Sequence, residues 1–279
     1  MAGLRRAKPD AGDALRRTLM KADLPTIPAV VTAAIDQVTS PDCDLASVAS
    51  VISKDPGLTA RMLSVVNSAA YAPRNPIVTV HQAVTMFGRN HVESMLISAA
   101  ASSVVSAATA RTFDLRRFWS IAAWRASAAS SLSRIVDRSR SSENFTAALL
   151  EDIAVPILAT QVPGYADTLR SWLTDGGDLS VVEFETHGWT HASAAGILFD
   201  EWRFPASLRD AVVEDPQRDD PDYPVVRAVS TLATPVDRAS VIELTVARIG
   251  EAFSVSDEIA IPLLEEAYDD GASLARSLA

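Results

Sequence analysis

Apolar residues recur at spacings of three and four along nearly the whole 279-residue chain, and strand-like alternation is scarce. That interval gathers side chains on one side of a helix and scatters them over both faces of a strand. The pattern therefore predicts an all-α fold. A hydrophobic share of 48% with 22% charged residues fits a packed globular interior and argues against disorder. Ala- and Leu-rich segments add helix propensity, because those side chains lose little freedom in a helix. The length allows one large domain or two modest ones sharing an interface.

Cap and breaker residues divide the periodic stretches. Leu24-Pro25-Thr26-Ile27-Pro28 leads into a helix to about Val38, and Asp44 caps the next, to about Ser53. Asp55-Pro56 joins a capping carboxylate to a proline at the first helical position, opening a helix that ends near Tyr71. Pro73 and Pro76 impose a loop. Thr79 and Gln82 have capping-box spacing, Gly88 can close that short helix in the left-handed conformation, and Asn90 opens a long helix to about Ala108. Helices then follow over about Arg116–Val136, Glu143–Ala159, Leu179–Thr186, His191–Trp202 and Ala206–Glu214, with two or three more to close the chain. The expected division is an N-terminal arm over 1–20, a helical bundle over 21–112 and a second helical lobe over 113–279, meeting between Ala110 and Leu115.

The formal net charge of −10 and pI near 4.9 oppose nucleic acid or anionic lipid as a direct partner. The basic residues Arg5, Arg6, Lys8, Arg16 and Arg17 read as a solvated arm, too short to reverse that balance. Cys43 is the only cysteine, so neither an intrachain disulfide nor a thiolate zinc site can form. The N-terminal residues lack the apolar core of a signal peptide, and the most apolar stretches are too short or too serine-rich to cross a bilayer. Cytoplasmic residence, no cofactor and no membrane contact are the resulting expectations.

Several segments, read in order, resemble the HDOD family, the HD-related output domains of bacterial regulators. Leu24-Pro25-Thr26-Ile27-Pro28 resembles its opening Leu-Pro-x-Leu-Pro; Ile52 to Leu63, with Asp55-Pro56-Gly57-Leu58 at its centre, resembles the next block. Asn67-Ser68-Ala69-Ala70-Tyr71 and Gln82-Ala83-Val84-Thr85-Met86-Phe87-Gly88 follow in the family's order. In the second half Phe118-Trp119, Ala147 to Ile153, His191 to Gly196, Trp202-Arg203-Phe204-Pro205 and Val212 to Pro216 continue the likeness. The resemblance implies a two-lobed helical module whose C-terminal lobe is HD-like.

The HD and HD-GYP phosphohydrolases that this lobe resembles hold divalent metals with a first-helix His, a His-Asp pair, later histidines and a last Asp. The metals activate water and clamp phosphate. Position by position, the resemblance places no histidine on Arg116–Val136, Glu151-Asp152 at the pair, His191 at a later histidine, Glu214-Asp215 at the paired histidines and Thr234 at the last Asp. The chain has four histidines, of which His81 and His91 lie in the N-terminal half. This implies a non-enzymatic module with no catalytic and no metal-binding residues. Glu151, Asp152, His191, Glu214 and Asp215 remain candidates for the remnant pocket, where oxygen-rich ligands would suit Mg²⁺ or Mn²⁺. The competing arrangement leaves Glu151 in solvent, gives Asp152 a helix end or an arginine across the lobe, and gives His191 a neighbouring carboxylate.

Asn67, Ser68 and Tyr71 form a polar group at the end of an apolar helix, and Trp189 sits on a turn beside Gly188. These four are candidates for an interaction patch; capping and core packing are the alternative roles. Three functions compete: a module acting through a protein partner, a sensor of a nucleotide messenger or divalent metal, and a phosphohydrolase with an altered site. The acidic surface favours the protein partner over an anionic nucleotide.

Overall fold

The computed structural model describes residues 11–21, 26–68, 71, 73–108, 113–213, 223–230 and 238–278; among them every regular element is a helix. The N-terminal half comprises α1 (Ala11–Lys21), α2 (Ala29–Thr39), α3 (Leu45–Ile52), α4 (Pro56–Val66) and α5 (Val80–Ala108). The second half comprises α6 (Leu115–Val136), α7 (Ser141–Leu150), α8 (Ala154–Gln161), α9 (Tyr165–Asp175), α10 (Leu179–His187), α11 (His191–Glu201), α12 (Ala206–Val212), α13 (Pro224–Val229), α14 (Arg238–Phe253) and α15 (Asp257–Leu278). The expected lobe junction lies partly on residues 109–112, outside the described residues.

Local chemistry accounts for the helix starts. The Asp44 carboxylate accepts from the N–H groups of Ala46 and Ser47, and Asp55 accepts from Leu58 N–H with Pro56 in the first turn. Thr79 Oγ1 accepts from Gln82 N–H while Gln82 Oε1 accepts from Thr79 N–H, which makes a reciprocal capping box. Gly88 has φ 71° and ψ 179°, outside the helical region, so the run α5 is two helices meeting at Gly88, as expected, although the glycine does not sit in the left-handed helical well. The helix begun at Pro56 stops at Val66, short of Tyr71.

Two expectations fail. Of the basic residues read as a solvated arm, Arg5, Arg6 and Lys8 lie outside the described residues and Arg16 and Arg17 are exposed. The helix that carries the last two is nevertheless docked: α1 buries Leu15 and Leu19 completely, packs on α11, and sets Arg16 Nη2 3.6 Å from Glu201 Oε1. Apolar residues four apart outweigh the basic cluster beside them. The single helix expected over Glu143–Ala159 is two helices, broken by a turn at residues 151–153.

One apolar interior runs from Leu15 through α2–α5 into α7, α8 and α11 and on to Leu274 and Leu278 of the last helix. A second cluster joins Leu132 of α6 to Val229, Ile249 and Leu264. The helix α15 lies along α6, and Gly271 permits the approach: a Cβ there would fall 2.6 Å from the Trp124 Cα. Ser102 Oγ donates to the Leu278 carbonyl at 2.8 Å, which ties the chain end to α5.

Candidate functional site

The centre of the second half is built where α6, the α7–α8 turn and the start of α11 meet. Arg125 lies midway along α6 with its side chain wholly buried among small residues, including Ala122 and Ala126. The turn at 151–153 breaks the helical path, so Glu151 and Asp152 both reach this guanidinium. Arg125 Nη1 stands 3.2 Å from Glu151 Oε2, and Nη2 stands 2.6 Å from Asp152 Oδ2. Across the site, Thr190 caps α11 through Ser193 N–H, which fixes the entry of His191. His191 Nε2 lies 3.3 Å from Asp152 Oδ1, and Nδ1 lies 2.7 Å from Glu183 Oε2.

A second ring of groups holds these in place. Glu183 is fully buried on α10; its Oε2 also accepts from the His191 backbone N–H at 2.8 Å, and its Oε1 accepts from the Tyr165 hydroxyl. Ser230 Oγ donates to Glu151 Oε1, and Arg248 donates to the Ser230 carbonyl. Beside Tyr165, the rings of His187 and Trp189 stack at 4.9 Å.

Charge settles unevenly over this cluster. Burial works against a charged imidazole, but the hydrogen bonds and charges of Asp152 and Glu183 outweigh it and lift His191 to about 10. Burial would likewise raise Asp152, yet the Arg125 guanidinium and then His191 hold its carboxyl well below the usual range. Glu151 is moved the other way: burial dominates, Arg125 only partly opposes it, and the neighbouring Asp152 charge adds to the rise. Two carboxylates compete for one guanidinium, and Asp152 takes the larger share. Burial also disfavours a charged Arg125, but Asp152 and Glu151 reverse that and raise its proton affinity.

The HD relatives imply divalent metal at this place, and the described residues do not fit one. The guanidinium of Arg125 already lies against both carboxylates, and both nitrogens of His191 face carboxylate oxygens. A metal would have to bind beside two cations, in a donor set whose imidazole lone pair is taken by a proton. Among the described residues no group of three or more His, Cys, Asp or Glu side chains is arranged to hold a metal ion. The cluster is an internal ion-pair network in which two cations, Arg125 and His191, face three carboxylates, Glu151, Asp152 and Glu183.

Of the five pocket candidates, the structure brings together Glu151, Asp152 and His191; Glu214 and Asp215 lie outside the described residues, as does Thr234 at the place of the last Asp. Glu151 is not left in solvent, since Arg125 and Ser230 both engage it. Sequence reasoning missed Arg125, Glu183, Tyr165 and Ser230. The signal for Arg125 was present: it is the one charge in the run from Ser120 to Leu132, otherwise small or apolar.

The four patch candidates separate. Asn67 is exposed but clamps a loop: Nδ2 donates to the Leu63 and Ile77 carbonyls, and Oδ1 accepts from Ile77 N–H, each at 2.8 Å. Ser68 is buried, and the Tyr71 ring packs edge-on against Phe87 and Phe145. Trp189 is not exposed on its turn; only 8% of it is accessible, because it packs against both Tyr165 and His187, whose rings also meet each other.

The order and packing of the helices define an HD-like all-α module. The HDOD domain profile matches residues 24–217, and the chain belongs to the HDOD family. Solved structures share the fold. A candidate phosphohydrolase from Shewanella amazonensis SB2B superposes with a TM-score of 0.76 at 22% identity, over 95% of this chain and 98% of that one. An HDOD domain protein of unknown function from Geobacter sulfurreducens gives 0.71 at 17%, over 97% and 98%. A candidate signal transduction protein from Marinobacter aquaeolei VT8 gives 0.67 at 20%, over 98% and 67%. A comparison with curated proteins found no significant match.

Proposed function

We propose that this chain is a non-catalytic bacterial signal-transduction module that acts in the cytoplasm by binding a protein partner. The observation that carries the reading is Arg125, whose guanidinium stands against Asp152 and Glu151 in the place where a hydrolase of this fold family keeps metal. A phosphohydrolase needs a water-activating metal there, and a sensor of an anionic messenger needs free cations; Arg125 and His191 are both committed to internal carboxylates. Membership in the HDOD family supports signalling, as does the fold shared with a protein named for signal transduction. Among the described residues no helix is long and apolar enough to cross a membrane.

The test is calorimetry of the purified protein against Mg²⁺, Mn²⁺ and cyclic di-GMP, alongside hydrolysis assays on phosphodiester and phosphomonoester substrates. No heat of binding and no turnover are expected. Micromolar binding abolished by His191→Ala would favour the sensor, and metal-dependent turnover lost in Asp152→Ala would restore the hydrolase.

A further inference from the structure

The helices α14 and α15 form a groove of about 570 Å³, beyond residue 217 where the family profile ends. Its floor is apolar, made by Ile242 and Val246, and Ile261 leaves 41% of its surface exposed on the wall. Its rim is acidic: the lining includes the exposed carboxylates of Glu243 on α14 and of Asp257 and Glu265 on α15. The one cation lining the groove among the described residues is Arg238, and its charge is already engaged. Nη1 lies 3.2 Å from Asp269, Nη2 donates to the Glu265 carbonyl, and the guanidinium sits 4.9 Å from the Tyr268 ring centre.

We propose that this groove binds a basic amphipathic helix of a partner protein. A cleft between two helices accepts a third through apolar residues three and four apart, and the acidic rim selects lysine or arginine on that helix's flanks. The same rim opposes the other occupants. A second copy seated here would set its own acidic rim against this one, and nucleic acid or anionic lipid would meet like charge. The assignment rests on the chain being a binding module, and it names where and what that module binds.

The test is fluorescence anisotropy of the full-length protein with a fluorescein-labelled amphipathic Leu/Lys peptide, with a matched Leu/Glu peptide as control. The Leu/Lys peptide should bind and the Leu/Glu peptide should not, with affinity falling as salt is raised. Glu243→Lys with Glu265→Lys should weaken binding by about tenfold or more. Ile261→Asp should weaken it comparably, while Glu185→Lys, an exposed change on α10, should leave it unaltered. Equal loss in Glu185→Lys would mark the binding as diffuse attraction to an acidic protein and overturn the proposal. So would no binding, or a dimer in sedimentation that Ile261→Asp dissolves. Failure here leaves the metal and hydrolysis tests of the central cluster unaffected, so the two readings fall separately.

Discussion

Arg125 and Asp152 meet at 2.6 Å with side chains 0% and 8% exposed, one from the middle of α6 and the other from the turn between α7 and α8. A buried guanidinium needs a carboxylate, and a buried carboxylate pair needs a cation. The contact therefore ties the two segments that carry the centre of the HD-like lobe. It makes the cluster a structural element, whose loss should be felt as stability.

Arg125→Ala should destabilise the protein by about 3–5 kcal/mol, because it strands Glu151 and Asp152 in an apolar surrounding. Adding Glu151→Gln and Asp152→Asn should recover part of that loss by removing the stranded charge. Urea titration followed by circular dichroism checks both. A change under ~1 kcal/mol for Arg125→Ala would mean that water reaches the pair.

Stability should fall on both sides of neutrality, for different residues. His191 binds its proton more tightly when folded, about 10 against an ordinary 6.5, so its contribution is complete below 6.5 and is lost as pH rises through about 10. Asp152 behaves oppositely: its lowered value gives a contribution complete above 3.8 and lost as pH falls toward the depressed value. Urea midpoints measured across pH should decline toward pH 10, and His191→Gln should flatten that alkaline slope. An unchanged slope in the variant would assign the decline to other groups.

Local chemistry was legible in the sequence, and long-range pairing was not. Asp44, Asp55-Pro56 and the Thr79–Gln82 box announce helix starts because a cap acts on N–H groups two or three residues away. The break at 151–153 was hidden by apolar residues on both sides, although Pro156 signals it, since proline is tolerated in the first turn of α8 and not within a longer helix. Likewise, Leu15 and Leu19 mark α1 as amphipathic, but their burial depends on α11, far along the chain. Glu183 joined the centre unannounced: nothing near it in the sequence says that Tyr165 and His191 converge on its carboxylate.

Tryptophan fluorescence tests the position of Trp189. Trp119, Trp124, Trp172, Trp189 and Trp202 are 0%, 4%, 8%, 8% and 5% exposed, so native emission should be blue-shifted and iodide should quench it weakly. Denaturant should shift the emission to the red and open all five to iodide. A native fraction of about one in five accessible to iodide, removed by Trp189→Phe, would return this residue to the surface.

Two glycines on neighbouring helices should respond to alanine with opposite signs. In a helix interior, Gly→Ala ordinarily stabilises by roughly 0.5–1 kcal/mol, because alanine restricts the unfolded chain and favours the helix. Gly250 on α14 has room for this: the nearest atom to its added Cβ is the Val255 carbonyl oxygen at 3.8 Å. At Gly271 the same methyl group would stand 2.6 Å from the Trp124 Cα and 2.8 Å from its backbone nitrogen. Backbone cannot rotate away as a side chain can, so α15 must shift off α6, and the cost should exceed the propensity gain by about 1–3 kcal/mol. The displacement also bears on Arg125, the next residue on α6. Gly271→Ala should therefore lower the thermal midpoint and weaken the alkaline dependence set by His191, whereas Gly250→Ala should raise the midpoint and leave that dependence intact. Equal midpoint gains in both variants would show that α6 and α15 do not approach this closely in solution.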